Sequence, residues 1–223
     1  MLKIFQYDSK FNQILLVAAD MIILNVLYVL CCLPIFTIGA AQAGLYTGIK
    51  VLMDSEDDSS CAKAFFRGFR SGFGKITLVH CIFSVLIAAL VLLLLNILVW
   101  QYAGFNAPVW MVVTALIMAI TFHAQMAPFH ASFGCTVMQL LRNVFLVTLA
   151  HPFQALIITA AMYLPVALLL LFPGYFAPAC ILFISIYFSA VYLLAFTLMK
   201  KPFRKIRELY LASQEEAAKA TEE

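Results

Sequence analysis

The sequence predicts an all-α fold: a polytopic membrane helix bundle of six membrane segments, with an N-terminal helical hairpin, four further spans and an interfacial amphipathic helix between them. Three observations predict it. The 223 residues are 65% hydrophobic and only 11% charged, about half the charged share of an ordinary soluble domain, and their mean hydropathy is +1.00. From Ile76 to Met199, a run of 124 residues, the only Asp, Glu, Lys or Arg is Arg142. The connections inside that run differ sharply in charge, which sets an orientation. At this length no large soluble domain is expected on either side. One transmembrane domain is therefore expected over residues 1–205, followed by an acidic cytoplasmic tail at 206–223.

Residues 11–33 make the first span. Taken alone it leaves Lys3 and Lys10 outside, which is the five-span alternative. A bend at Pro34 to Gly39 instead returns residues 38–53 through the membrane and keeps the N-terminus cytoplasmic. The returning arm is short, roughly 21 to 27 Å at 1.5 Å per residue. Gly39, Gly44 and Gly48, with Ala43, give it the small-residue spacing of a helix packed closely on its neighbours. Ala41-Gln42-Ala43 has the form of a signal-peptide cleavage site. The apolar run before it is longer than the usual ~7 to 15 residues, however, and cleavage would leave the basic segment outside.

Residues 60–74 are expected to form the interfacial helix. At 100° per residue, Phe65, Phe66, Phe69 and Phe73 share an arc of about 100° with Gly68 and Gly72 beside them, while Lys63, Arg67, Arg70 and Ser71 lie opposite. Asp57, Asp58, Ser59 or Ser60 can cap its N-terminus. Lys63, Phe65, Arg67, Phe69, Arg70 and Phe73 are the candidate contacts to lipid or to a partner. The acidic cluster Asp54, Glu56, Asp57 and Asp58 lacks the ligand order and turn glycine of a calcium loop and reads as a solvated turn.

The four remaining spans are placed at 76–100, 108–127, 152–172 and 177–199, with Pro128 ending or kinking the second of them. The connections after Trp100 and after Phe172 carry no charge. Arg142 and the stretch KKPFRKIR after Met199 mark the opposite, cytoplasmic side. Trp100, Tyr102, Trp110 and Tyr175 fit an outer aromatic belt.

Polar residues inside spans are the usual pointers to a transport path. Here they are Asp20, Asn25, Gln42, His80, Asn96, His123, Gln125, His151 and Gln154. Asp20, the only intramembrane acid, and Lys50 fall in the same third of the hairpin and read as a structural polar pair rather than a proton-coupling site. His123 and His130 stand seven apart, but Pro128 lies between them and no third ligand is near, so no metal site is expected. The six cysteines form no C-x-x-C pair and no disulfide framework is expected, and the adjacent Cys31 and Cys32 read as small core residues. There is no phosphate-binding glycine loop, no G-x-S-x-G, no H-E-x-x-H and no paired intramembrane carboxylates. No catalytic residue, cofactor, metal or nucleic-acid partner is expected.

The stretch LCCLPIFTIGAAQAGLYTGIKVLM, a short acidic turn, then FFRGFRSGFGK and later QLLRNVFLVTLAHP, in that order and spacing, resembles the YesL-like family of bacterial integral membrane proteins. The likeness covers roughly Phe11 to Arg204, and the tail SQEEAAKATEE departs from it. The family has no assigned activity and no catalytic residues to carry over. By association only, the resemblance implies an accessory or regulatory role in carbohydrate uptake, with membrane lipids and a sugar-transporter component or a second copy of the chain as partners. The competing function is a small transporter or channel, possible as an oligomer. It would present Asn25, Gln42, Asn96, Gln125 and Gln154 to one cavity, whereas an accessory protein would hold them separately between helices.

Overall fold

A computed structural model describes residues 10–53, 60–99, 107–134, 136–171 and 183–222. Helix is the only regular structure among them. α1 (Lys10–Cys31) is followed by a 3-10 turn at Ile35–Thr37, α2 (Ile38–Met53), α3 (Cys61–Gly72), α4 (Lys75–Val99), α5 (Ala107–Phe133), α6 (Val137–Ala150) and α7 (Pro152–Leu171). A π-turn at Phe183–Tyr187 then opens α8 (Phe188–Glu222). Four stretches among the described residues are helical, long and apolar enough to cross a membrane: Ile14–Cys31, Ile35–Met53, Lys75–Leu98 and Pro108–Phe133. A fifth arises if α6 and the first part of α7, which meet at a bend of 106°, count as one broken span. The expected segment at 177–199 lies partly outside the described residues.

α2 is the centre of the bundle. Gly39 to Tyr46, Gly48, Ile49 and Val51 are all buried, and α1, α3, α5 and α8 pack around it. Pro34 breaks the chain between α1 and α2, and the Thr37 hydroxyl closes the bend by donating to the carbonyls of Cys31 (2.5 Å) and Pro34 (2.6 Å). The returning arm is thus a real helix of 16 residues, about 24 Å long. Its core neighbours are Leu24 from α1, Phe65 from α3, and Tyr192 and Phe196 from α8, whose rings lie 6.3 and 6.2 Å from that of Tyr46.

Glycines set how close α2 comes to its neighbours. A Cβ built on Gly44 would stand 2.8 Å from the carbonyl oxygen of Phe65. One on Gly39 would stand 2.7 Å from His80 Cβ, and one on Gly48 2.5 Å from Leu24 Cδ2 and 3.3 Å from the Cys61 carbonyl. Gly68 answers from α3, against Thr47 and the Ala43 carbonyl. As α2 runs from residue 39 to 48, its contacts run back from His80 to Cys61, so α2 is antiparallel to α3 and to the start of α4. Thus α3 lies along α2 rather than across it, which corrects the expectation of a helix lying in the membrane plane beside a membrane-crossing α2. Backbones this close gain dispersion contact where side chains would hold them apart.

Three other expectations need correcting. α5 was expected to stop near residue 127, but it continues through Pro128 to Phe133. Pro128 is fully buried, and the packing on both sides outweighs its missing N–H. The C-terminal boundary at residue 206 is not a break, because α8 runs on through Pro202 to Glu222 with an exposed Arg204–Glu208 pair at 3.6 Å. No separate helix was expected in the connection that carries Arg142, yet it holds one, α6. Gly134 adopts the left-handed conformation (φ 58°) that ends α5. Thr136 then donates its N–H to Gln139 Oε1 at 3.1 Å to start α6, and Pro152 takes the first position of α7.

The exposed surface is that of a protein solvated by lipid. Leu33, Ile35 and Phe36 at the hairpin bend, Val85 and Leu92 on α4, and Trp110 and Met111 on α5 are all large, apolar and exposed. One satisfied proline shows the same solvent at work on the backbone. Pro165 has no N–H to give the Ala161 carbonyl, and the Tyr187 hydroxyl donates to that carbonyl at 2.6 Å. Without water, such a group must find its partner inside the protein.

Candidate functional site

Ser60 starts α3, its Oγ accepting from the Lys63 N–H at 3.4 Å. Ala64, Phe65, Gly68 and Gly72 are buried against α2, while Lys63, Phe66, Arg67, Arg70 and Phe73 are exposed. Phe65 is 0% exposed. Of the two places expected for its ring, among acyl chains or against the spans, it takes the second and belongs to the core, so it is no contact to lipid or a partner. The reason is Gly44: the Phe65 carbonyl seats on that glycine, which turns the Phe65–Gly68 edge of the aromatic arc inward. Phe69 is half-buried, with its ring 6.3 Å from Phe65 and 5.6 Å from Phe73. The outward face therefore alternates cations with the exposed rings of Phe66 and Phe73. Phe66, Phe69, Arg70, Phe73 and Gly74 border an open depression of about 580 Å³.

Asp20 and Lys50 are both half-buried. The Leu24–Gly48 contact places them at the same end of the α1–α2 hairpin. Asp20 also stands near Cys61 at the head of α3, where burial first and the Asp20 charge second push the thiol above its ordinary pKa. Gly39, Gly44 and Gly48 are buried and face His80, Phe65 and Leu24 respectively.

Inside the bundle, His123 pairs not with His130 but with His80, at 4.3 Å between ring centroids, and with Tyr163, whose hydroxyl is 2.7 Å from His123 Nδ1. Tyr163 was invisible to the sequence reading, since nothing local relates α7 to α5. Among the described residues no group of three or more His, Cys, Asp or Glu is arranged to hold a metal. Asn25 and Gln42 have different partners, while Gln125 reaches the residue beside Gln154, and both of these glutamines keep a buried Oε1 without a hydrogen-bond partner. Asn25 Oδ1 accepts from the Ser189 N–H at 3.0 Å, and Gln42 reaches Tyr28. Gln125 Nε2 donates to the Ala155 carbonyl at 3.4 Å, and Gln154 Oε1 is buried without a partner. Asn96 is exposed on the far part of α4.

Fold and surface together define the class: an all-α polytopic membrane protein whose most polar exposed helix is clamped to a glycine-bearing central one. Residues 21–97, from the middle of α1 to near the end of α4, match the model of a family described as a protein of unknown function, DUF624. The matched stretch holds the hairpin, α3 and their glycine contacts. No curated protein and no solved structure matches the chain.

Proposed function

We propose that this chain is a YesL-like membrane protein with no enzymatic activity of its own, an accessory of carbohydrate uptake in bacteria that docks a partner through the exposed basic face of α3. The observation that carries the reading is the close seating of α3 behind that face. Gly44 and Gly68 lock the back of α3 onto α2, so Lys63, Arg67 and Arg70 are displayed with Phe66 and Phe73 at little further cost in order. The positive-inside rule puts this face, Arg142 and the Lys200–Arg204 stretch in the cytoplasm together with both termini. The different partners of Asn25 and Gln42 and the exposed position of Asn96 support an accessory over a channel, which would gather such residues on one path; the neighbouring Gln125 and Gln154 do not separate the two readings. The order of motifs supports the YesL-like resemblance, and the link to sugar uptake comes from that resemblance by association only.

Affinity isolation of the full chain from membranes tests it. The wild type is expected to bring down a sugar-transporter component, and Lys63→Gln/Arg67→Gln/Arg70→Gln to insert and melt like wild type yet lose that component. A triple variant that keeps every partner and full sugar-dependent growth would reduce α3 to an anchor.

A further inference from the structure

We propose that the groove between α6 and α8 binds the phosphate headgroup of an anionic phospholipid. Two adjoining cavities of about 480 and 420 Å³ share Phe129, Asn143 and Ile206 as walls. Arg142 lines the first and Lys205 the second. Both are exposed, and no acidic residue lines either cavity. Arg142 is the one charge kept in 124 otherwise uncharged residues, and a planar guanidinium suits a phosphate better than any other side chain does. Gln139 adds to the donor set: its Oε1 is held by the Thr136 N–H, which leaves the amide N–H groups facing outward to donate. Asn143 and His151 supply further polar edges.

The flank of the groove decides between a lipid and a soluble phosphate. Leu146 is itself a groove wall and half exposed. It continues into Phe145, Leu149 and Phe153, the last 80% exposed, along the outer face of α6 and the start of α7. The 106° bend lays α6 across the direction of α7, so if α7 follows the membrane normal this apolar face lies along the bilayer surface, with the polar side chains of Gln139 and Asn143 lining the groove. A phosphate held by Arg142 and Lys205 would have its acyl chains on that flank. A soluble anion makes no use of it.

The test uses the purified full chain in zwitterionic detergent, titrated with phosphatidylglycerol or phosphatidylcholine and read by native mass spectrometry. Wild type is expected to retain phosphatidylglycerol preferentially. Arg142→Gln/Lys205→Gln should lower its apparent affinity about thirtyfold, about fivefold for each cation, with phosphatidylcholine unchanged. Lys205→Gln alone, at an exposed position, should show its fivefold share even if changes at Arg142 impair folding. Lys63→Gln/Arg70→Gln removes equal charge from α3 and should keep the wild-type preference. The proposal is overturned by an unchanged preference in the α6–α8 double variant, by an equal loss in the α3 variant, or by glycerol 3-phosphate alone competing as well as the whole lipid.

Discussion

Gly44→Ala adds one methyl group at the point where α2 and α3 are closest. The new Cβ would lie 2.8 Å from the Phe65 carbonyl oxygen and 3.2 Å from Phe69 N and Cβ, against 3.4 Å for ordinary contact, a deficit of about 0.6 Å at the tightest point. The obstacle is helix backbone, so no rotamer relieves it and α3 must shift, breaking the fit of Gly68 on Thr47 and Ala43 as it does so. Overpacking of this kind costs about 1 to 3 kcal/mol, partly offset by the ~1 kcal/mol that Ala gains over Gly in a helix. Gly74→Ala is the control: nothing lies within 4 Å of its Cβ and its φ is not positive, so it should be neutral or stabilising by about 0.4 to 1 kcal/mol. Gly48→Ala should fall between them, because its nearest obstacle is the movable Leu24 Cδ2. Thermal unfolding of the detergent-solubilised protein reads the series, with each kcal/mol worth about 2 to 4 °C at this size. Gly44→Leu should go further and reduce the yield of folded protein. If Gly44→Ala melts at or above Gly74→Ala, the close approach of α2 and α3 is wrong.

Tyr187→Phe should destabilise the protein by about 1 to 3 kcal/mol, because the Ala161 carbonyl loses its donor inside the bundle. In a Pro165→Ala background the restored helical N–H satisfies the same carbonyl, so the loss should largely vanish; equal losses in both backgrounds would break the link between Tyr187 and Pro165. In a variant keeping Cys61 as its single cysteine, an impermeant maleimide at pH 8 should react more slowly than with an ordinary exposed thiol, since a raised pKa leaves less thiolate. Asp20→Asn should speed that reaction, raising the pH should speed it too, and labelling should require opening the cells. Labelling of intact cells would reverse the orientation, and an unaltered rate in Asp20→Asn would separate α1 from α3.

The long apolar helices were legible because lipid demands long apolar runs and Pro34 and Pro152 punctuate them. The small-residue pattern of 38–53 was legible too, since close packing has few other sequence signatures. What the sequence left undetermined depends on partners far along the chain. The phenylalanine arc of α3 was drawn correctly as an arc, but its buried edge is chosen by Gly44, a residue on another helix. Pro128 reads locally as a helix end, yet tertiary burial carries α5 through it. His123 met His80 and Tyr163 rather than His130 because spacing along one helix says nothing about the helices on either side.

Arg142 shows the same limit where function is concerned. In sequence it is a positive-inside marker, one cation near a membrane boundary, and that role needs nothing but its charge. In the fold it stands on a helix laid across α7, with Asn143 beside it and Lys205 brought in from α8 more than sixty residues on. An orientation marker is indifferent to such company. A phosphate site requires it, since one cation at a membrane surface adds only about 1 kcal/mol to lipid attraction and selectivity among headgroups needs converging donors. The α3 face has cations in plenty but shows rings between them, and the α6–α8 groove has fewer cations with polar donors around them. The first arrangement suits a protein partner and the second a single phosphate, and for that reason the Gln variants of the two surfaces should fail in different assays.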